Sequence, residues 1–402
     1  MGKVWFVDVV NEYRSGHFVP VHVTLERCAD LLNANYIAVV DKDCPPSIGT
    51  EKWQRLLHHS PNLHLESLTN FVTQRQLYRA IVEIKTQIIS FIDLSIRIRS
   101  LLNHIDNAAD AIVIYLDIAT PLEIIAIWLS VASLRDKRTK TIIWTHFHRF
   151  SRWPETKLGR ITRCLFNIYP VRTWKTTFTN ELAAEFREFG WDIDVLPLPI
   201  NPALTEVGSP KASQQSARLI CWLLITRLEQ GRDLLPKIIG EKSASTFPKH
   251  FIKCFISEWV NIQESDCIEL VRLPYGSKDY HFHFNNCNVV LLPYKAERFR
   301  SGMSMVFIEA VAMCKLPIVS DGTAMAGELR RFNLGELVLD FDNEFSWTVV
   351  NGLRENISIR ERFKVMAERY NREHDTFAFA ESVYRSLKQR NPKIALTEPK
   401  RT

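Results

Sequence analysis

Residues 287–321 read CNVVLLPYKAERFRSGMSMVFIEAVAMCKLPIVSD, and the reading of this stretch decides the fold. An unbroken apolar run predicts a buried strand over 289–294, closed by Pro293 and Tyr294. A cationic loop follows, and Ser301-Gly302 is expected to open a helix over 303–313. Leu316 to Val319 then reads as a second buried strand. Strand, helix, strand, with neither strand showing a polar face, predicts a parallel sheet covered on both sides.

The start of such a helix presents unbonded amides and a positive dipole end, a natural anion site. Gly302 would let a phosphate approach the backbone closely. Glu309 lies two turns further on, flanked by apolar residues. A carboxylate there could accept both hydroxyls of a ribose, at about 1.5–3 kcal/mol per charge-assisted bond. The same pattern also fits an amphipathic helix in which Glu309 is an outward-facing acid.

Upstream, the first half alternates strand-like and helix-like segments. Strands are expected at 4–10, 36–40, 111–116, 141–146, 176–179 and 195–199, and helices at 21–32, 74–102, 121–134 and 181–189. A proline-rich run at 197–202 and a polar run at 208–216 interrupt the pattern. Beyond it, strands are expected at 219–225, 251–256, 268–273 and 289–294, with a helix at 233–239. The predicted architecture is α/β: two Rossmann-like parallel-sheet domains facing a central cleft, with a C-terminal helix returning to the first domain. The expected bounds are 1–200, a linker 201–216, 217–365, and a helix with a basic tail at 366–402.

Length and composition agree with this. The 402 residues suffice for two cores, and 46% hydrophobic with 24% charged residues is ordinary for a globular chain. Fourteen glycines and eighteen prolines exclude collagen-like and low-complexity chains. The eight cysteines form no C-x-x-C pair, which suits reduced, buried thiols in a cytoplasmic protein. The formal charge of +6 is unevenly placed: residues 135–175 hold eleven cations against two acids, interleaved with seven aromatics. That composition suits an anionic membrane surface at the inner face, so a peripheral position is expected. A solvated basic face with aromatics plugging the core is the plain alternative. Single-stranded nucleic acid would suit the composition too, but no nucleic-acid partner is expected.

Common catalytic motifs are absent. There is no P-loop, no G-x-G-x-x-G, no G-x-S-x-G and no H-E-x-x-H. Two His-x-His pairs, His146/His148 and His281/His283, would each share a face if placed on a strand. Neither has a third ligand close in sequence, so no metal site is expected.

The 287–335 region resembles the donor-binding signature of GT-B glycosyltransferases, especially the retaining group with a Glu-x7-Glu motif (glycosyltransferase family 4-like). The resemblance rests on the run Glu309-Ala310-Val311-Ala312-Met313-Cys314-Lys315-Leu316-Pro317 and on Gly335-Glu336-Leu337-Val338. Ile225-Thr226-Arg227-Leu228 is similar to the Gly-Arg-Leu of the second domain's first loop. The resemblance implies a hexosyl transfer from a nucleotide diphosphate sugar to a hydroxyl acceptor, such as a lipid-linked glycan or polysaccharide precursor. It implies no cofactor and no metal. The donor-side residues it implies are Arg227, Arg232, Tyr294, Arg300, Ser301, Gly302, Met303, Ser304 and Glu309. His146 would be the catalytic histidine, and Gly16 and His17 would form an acceptor-side loop.

Two departures stand out. Ser301 occupies the place of the motif's first Glu, and the Lys that follows Arg-Leu in the family is missing. Arg232 or Arg300 is expected to join Arg227 in neutralising the diphosphate. The departures keep two rival readings open: a GT-B-like adaptor that binds without turnover, and a nucleotide-sugar epimerase.

Overall fold

The computed structural model describes residues 3–10, 19–45, 49–57, 74–117, 121–147, 164, 172–202, 218–224, 228–240, 246–255, 266–273 and 278–401. The chain forms two compact units, one of Met1–Leu196 with Phe379–Thr402, the other Pro197–Ala378.

The first unit runs β1 (Val4–Val9), α1 (Val19–Leu31), β2 (Asn35–Asp41), β3 (Trp53–Leu57), α2 (Gln74–His104), β4 (Ala111–Leu116), α3 (Pro121–Ala132), β5 (Thr141–Phe147), β6 (Arg172–Thr177), α4 (Asn180–Glu188) and β7 (Asp194–Val195). All seven strands are parallel, in the order β3-β2-β1-β4-β5-β6-β7. The central strands β4 and β5 are buried at every position, as sheets covered on both faces require. Pro121 opens α3, where its missing N–H costs nothing. The second unit runs β8 (Cys221–Leu224), α5 (Leu235–Gly240), β9 (Ile252–Phe255), β10 (Ile268–Val271), α6 (Lys278–Asn285), β11 (Val289–Leu292), α7 (Ala296–Phe299), α8 (Met305–Ala312), β12 (Leu316–Ser320), α9 (Ala324–Arg331), β13 (Val338–Leu339), α10 (Trp347–Glu355), α11 (Ile357–Glu373) and α12 (Thr376–Arg390). Its six strands are also parallel, in the order β10-β9-β8-β11-β12-β13.

From Phe379 onward α12 belongs to the first unit. The Phe379 ring lies 6.3 Å from Trp144, and Arg390 pairs with Asp194 at 2.8 Å while covering the Trp174 ring. The tail continues the packing, because Thr397 donates its amide to the Leu32 carbonyl at 3.1 Å.

Several elements differ from the sequence expectation, among them the strand expected at 195–199, which is the two-residue β7 (Asp194–Val195) before the chain turns into a proline-rich stretch. β3, with sequence WQRLL, was not foreseen: it is an edge strand whose middle residues are exposed or only partly buried, so its apolar signal is weak. The strand expected at 176–179 spans Arg172–Thr177 instead, and Thr179 leaves the sheet to cap α4, accepting the Leu182 amide at 3.1 Å. His281 and His283 lie on helix α6, where residues two apart point to different sides.

The cationic window also reads differently. Residues 148–163 and 165–171, most of it, lie outside the described residues. The described aromatics Trp144, Phe147 and Trp174 are core residues, Trp144 and Trp174 stacked at 4.3 Å. Two of its cations serve the fold. The Lys137 ammonium donates to the carbonyls of Leu102 and Ile105 at the end of α2, and Lys140 donates to Asn107 and Ala109 at 2.9 and 3.0 Å. A cation at a helix C-terminus satisfies carbonyls that have no intrahelical partner. Lys137→Met should therefore destabilise the first unit by about 2 kcal/mol, measured as an earlier urea transition. An unmoved transition would show that water satisfies those carbonyls equally well.

Candidate functional site

In an open parallel sheet, ligands sit outside the carboxyl ends of the strands, where the strand order reverses. In the second unit that point lies between β8 and β11. The turn after β8 is seated directly on the end of β11. Gly231 adopts φ +83°, and a Cβ there would stand 2.2 Å from the Pro293 carbonyl oxygen, so only glycine fits. The Lys295 amide donates to the Glu229 carbonyl at 2.9 Å, and its ammonium pairs with Asp233 at 2.6 Å. Arg232, half-buried, is thus carried on a turn that touches the β11 loop. The loop after β12 joins them, since Gly322 at φ +72° packs beside Ala296.

Along the β11 loop, Tyr294 is buried and stacks on Phe299 at 4.4 Å. Arg300 is exposed and ends α7, and Ser301, Gly302 and Met303 are partly exposed. The helix does not open at Ser301-Gly302 as expected. The short α7 takes up part of the loop, and Ser304, at φ −91° and ψ 131°, is the N-cap of α8. Phe307 and Ile308 make the first helical bonds to the Ser304 carbonyl, which leaves the Met305 and Val306 amides at the helix mouth. Glu309 follows one turn in and is fully buried, so it is not an outward acid. The structure therefore gathers Arg232, Tyr294, Arg300, Ser301, Gly302, Met303, Ser304 and Glu309 on abutting loops and one helix. Arg227, Gly16 and His17 lie outside the described residues.

The first unit's reversal point lies between β1 and β4, and polar side chains that sequence reasoning missed are buried there. His22 of α1 sets its Nδ1 against both carboxylate oxygens of Asp8, at 2.9 and 2.8 Å. The Tyr36 hydroxyl donates to Asp8 at 2.5 Å, and the Tyr115 hydroxyl to Asp117 at 3.2 Å. Burial alone would lower the His22 pKa, but the Asp8 charge and hydrogen bond outweigh it, with help from Asp117, and the pKa is raised. Burial, then Asp8, raises the Tyr36 hydroxyl, and burial, then Asp117, raises Tyr115. The only signal in the sequence was an acid, Asp8, inside an apolar strand; its partners stand 14 and 28 residues away.

His146, the expected catalytic histidine, is fully buried on β5. Its Nδ1 lies 2.7 Å from the Thr176 hydroxyl, which also accepts Trp144 Nε1–H at 2.8 Å. Tyr115 stands between the two histidines, its ring 6.1 Å from His22 and 6.4 Å from His146. Of the two His-x-His pairs, only His146, His281 and His283 are among the described residues. His148 lies outside the described residues, and burial holds His281 at about 4, so its neutral Nε2 accepts from Asn201 at 3.1 Å. Among the described residues no three His, Cys, Asp or Glu side chains gather as a metal site. All eight cysteines are free thiols.

No family model and no curated protein matches the sequence. Solved structures do resemble it over nearly their whole length. The glycotransferase of kitacinnamycin is 10% identical, covering 96% of this chain and 98% of its own, at a TM-score of 0.55. The N-terminal domain of Candida albicans trehalose-6-phosphate phosphatase is 11% identical over 97% of each chain, at 0.59. An alpha-glucosyltransferase in complex with UDP and a 13-mer DNA containing a HMU base is 9% identical, covering 97% of this chain and all of its own, at 0.56. At these identities the likeness establishes the fold: two parallel-sheet α/β units of the GT-B type. It also removes the ground for excluding nucleic acid as a partner, since one chain of this architecture holds DNA.

The Asp8–His22 pair has a measurable signature. A histidine whose folded pKa is raised above 6.5 binds its proton more tightly when folded. Its stabilisation is complete below pH 6.5 and is lost as pH rises through the folded value. The melting temperature of the protein should decline across that window, and Asp8→Asn should both lower stability at acid pH and flatten the decline. Parallel profiles for the two proteins would exclude a charged pair.

Proposed function

We propose that the chain is a glycosyltransferase that moves a hexose from a nucleotide diphosphate sugar to a hydroxyl acceptor. The observation that carries this reading is the β8–β11 reversal point, where a glycine-seated turn, a cationic loop and a helix mouth converge. Departure of a nucleoside diphosphate demands stabilisation of growing negative charge. Arg232 and Arg300 and the Met305 and Val306 amides supply preorganised donors for it, and Arg227 is the further cation this reading assigns. Gly302 lets the phosphates lie close to the backbone. Glu309 takes the ribose hydroxyls, a carboxylate held inside a buried helix where its bonds are strong.

In the first unit, Asp8 fixes the His22 ring through Nδ1, and the buried Nε2 has no hydrogen-bond partner among the described residues. This is the arrangement by which a carboxylate orients an imidazole that takes a proton at its other nitrogen. We assign His22 as the base for the acceptor hydroxyl and His146 as its neighbour on the sugar side. A glycan or lipid-linked precursor is the acceptor this reading favours. The adaptor reading is favoured by Ser301, which carries no charge where the resembling family has an acid, and by the missing Lys after Arg227-Leu228.

Purified protein incubated with radiolabelled nucleotide sugars should release sugar slowly from one donor, and His22→Ala should lower turnover with little change in donor affinity. Glu309→Gln should weaken binding of the matching nucleoside diphosphate by about 1.5–3 kcal/mol in calorimetry. Tight binding without turnover would favour the adaptor, and no binding of any nucleotide sugar would end the transferase reading.

A further inference from the structure

Helix α2 has two faces of opposite character. Leu94, Ile98, Leu101 and Leu102 enter the core, and the flank beside them meets α3, where the Ser130 hydroxyl donates to the Ser95 carbonyl at 2.9 Å. Another flank is uncovered. Ile88, Ile89, Ile92 and Ile96 are 54%, 40%, 49% and 59% exposed, and Leu129 of α3, next to Ser130, is 45% exposed. The isoleucines recur at helical spacing, so they form one strip along the helix. Of the eleven exposed large hydrophobic residues among the described ones, five are in this place. Scattered apolar residues need no explanation, but a contiguous strip marks a contact.

The ends of the strip carry charge. Lys85 lies one turn before Ile89 and Arg99 one turn after Ile96; both are exposed, and neither has an ion pair among the described residues. Asp93, on the same helix, pairs with Arg97 at 3.2 Å. We propose that this strip is a membrane-contact face: α2 lies flat on an anionic lipid surface, its isoleucines at the acyl boundary and Lys85 and Arg99 at the headgroups. Charge argues against a second copy of the chain as the occupant. Parallel pairing would set Lys85 against Lys85, and antiparallel pairing centred on Ile92 would set Lys85 against Arg99. Either register confronts like charges, whereas anionic headgroups complement both ends. No helix among the described residues is long and apolar enough to cross a membrane, so the contact is one of lying on the surface. The proposal stands apart from the transferase reading, because α2 carries none of the residues assigned to it.

Flotation of the full chain with vesicles decides the matter. Wild-type protein should float with phosphatidylcholine–phosphatidylglycerol vesicles and much less with phosphatidylcholine alone. Ile92→Glu/Ile96→Glu, at exposed positions and with an unchanged melting curve, should lower the bound fraction at least roughly tenfold. Lys85→Gln/Arg99→Gln, which leaves the apolar strip intact, should lose the preference for anionic over neutral vesicles. The proposal is overturned if wild-type protein stays unbound, if either variant floats as wild type does, or if light scattering finds a dimer that the glutamates break.

Discussion

The second unit depends on a contact that admits no side chain. Gly231 sits so near the Pro293 carbonyl oxygen that a Cβ would be 2.2 Å from it, and its φ of +83° is one that L side chains rarely adopt. Two strands that neighbour each other in the sheet, β8 and β11, are thereby tied together beyond their ends as well. Backbone approach then lets Lys295 bond Glu229 and pair with Asp233. The exposed ion pair adds little by itself. Its role is to hold the turn bearing Arg232 against the loop that leads to the α8 mouth, so that cations and amides share one edge.

The first unit makes a different and costlier choice at its own reversal point. When His22 is protonated, burying it with Asp8 forfeits several kcal/mol of hydration per ion, which their attraction recovers only with good geometry. Both carboxylate oxygens face Nδ1, and Tyr36 donates to one of them, so the acid is well supplied with donors. Apolar residues of equal volume would serve stability at least as well. A buried acid–histidine pair beside the carboxyl end of β1, where parallel sheets place their ligands, is more readily understood as chemistry than as packing.

How much of this was legible follows from range. Strands such as Ala111–Leu116 and Val289–Leu292 announce themselves because burial on both faces demands an apolar residue at every position. Trp53–Leu57, with one half-open face at the sheet edge, gives no such run. The seat of Gly231 on Pro293 spans 62 residues, and nothing local encodes it. The same holds for the capping of α2 by Lys137: in composition it is one more cation of a basic window, and only the fold reveals that its charge is spent on backbone carbonyls. The aromatics of that window misled for a related reason, because Trp144 and Trp174 find polar partners, Thr176 and Asp194, while remaining in the core.

The register of α8 changes what Ser301 means. Ser301 lies eight residues before Glu309, and the helix begins at Met305, so Ser301 stands in the irregular stretch before it. An acid at 301 would therefore not share the helix face of Glu309, and its replacement by serine leaves the amides at the mouth untouched. On the proposed transferase reading, charge stabilisation at a diphosphate and recognition of the sugar would fall on separate stretches of chain. The first rests on backbone amides and arginines that do not depend on residue 301. On that reading, serine at 301 would bear on which sugar is held and how it is turned, and much less on whether a nucleotide diphosphate is gripped at all.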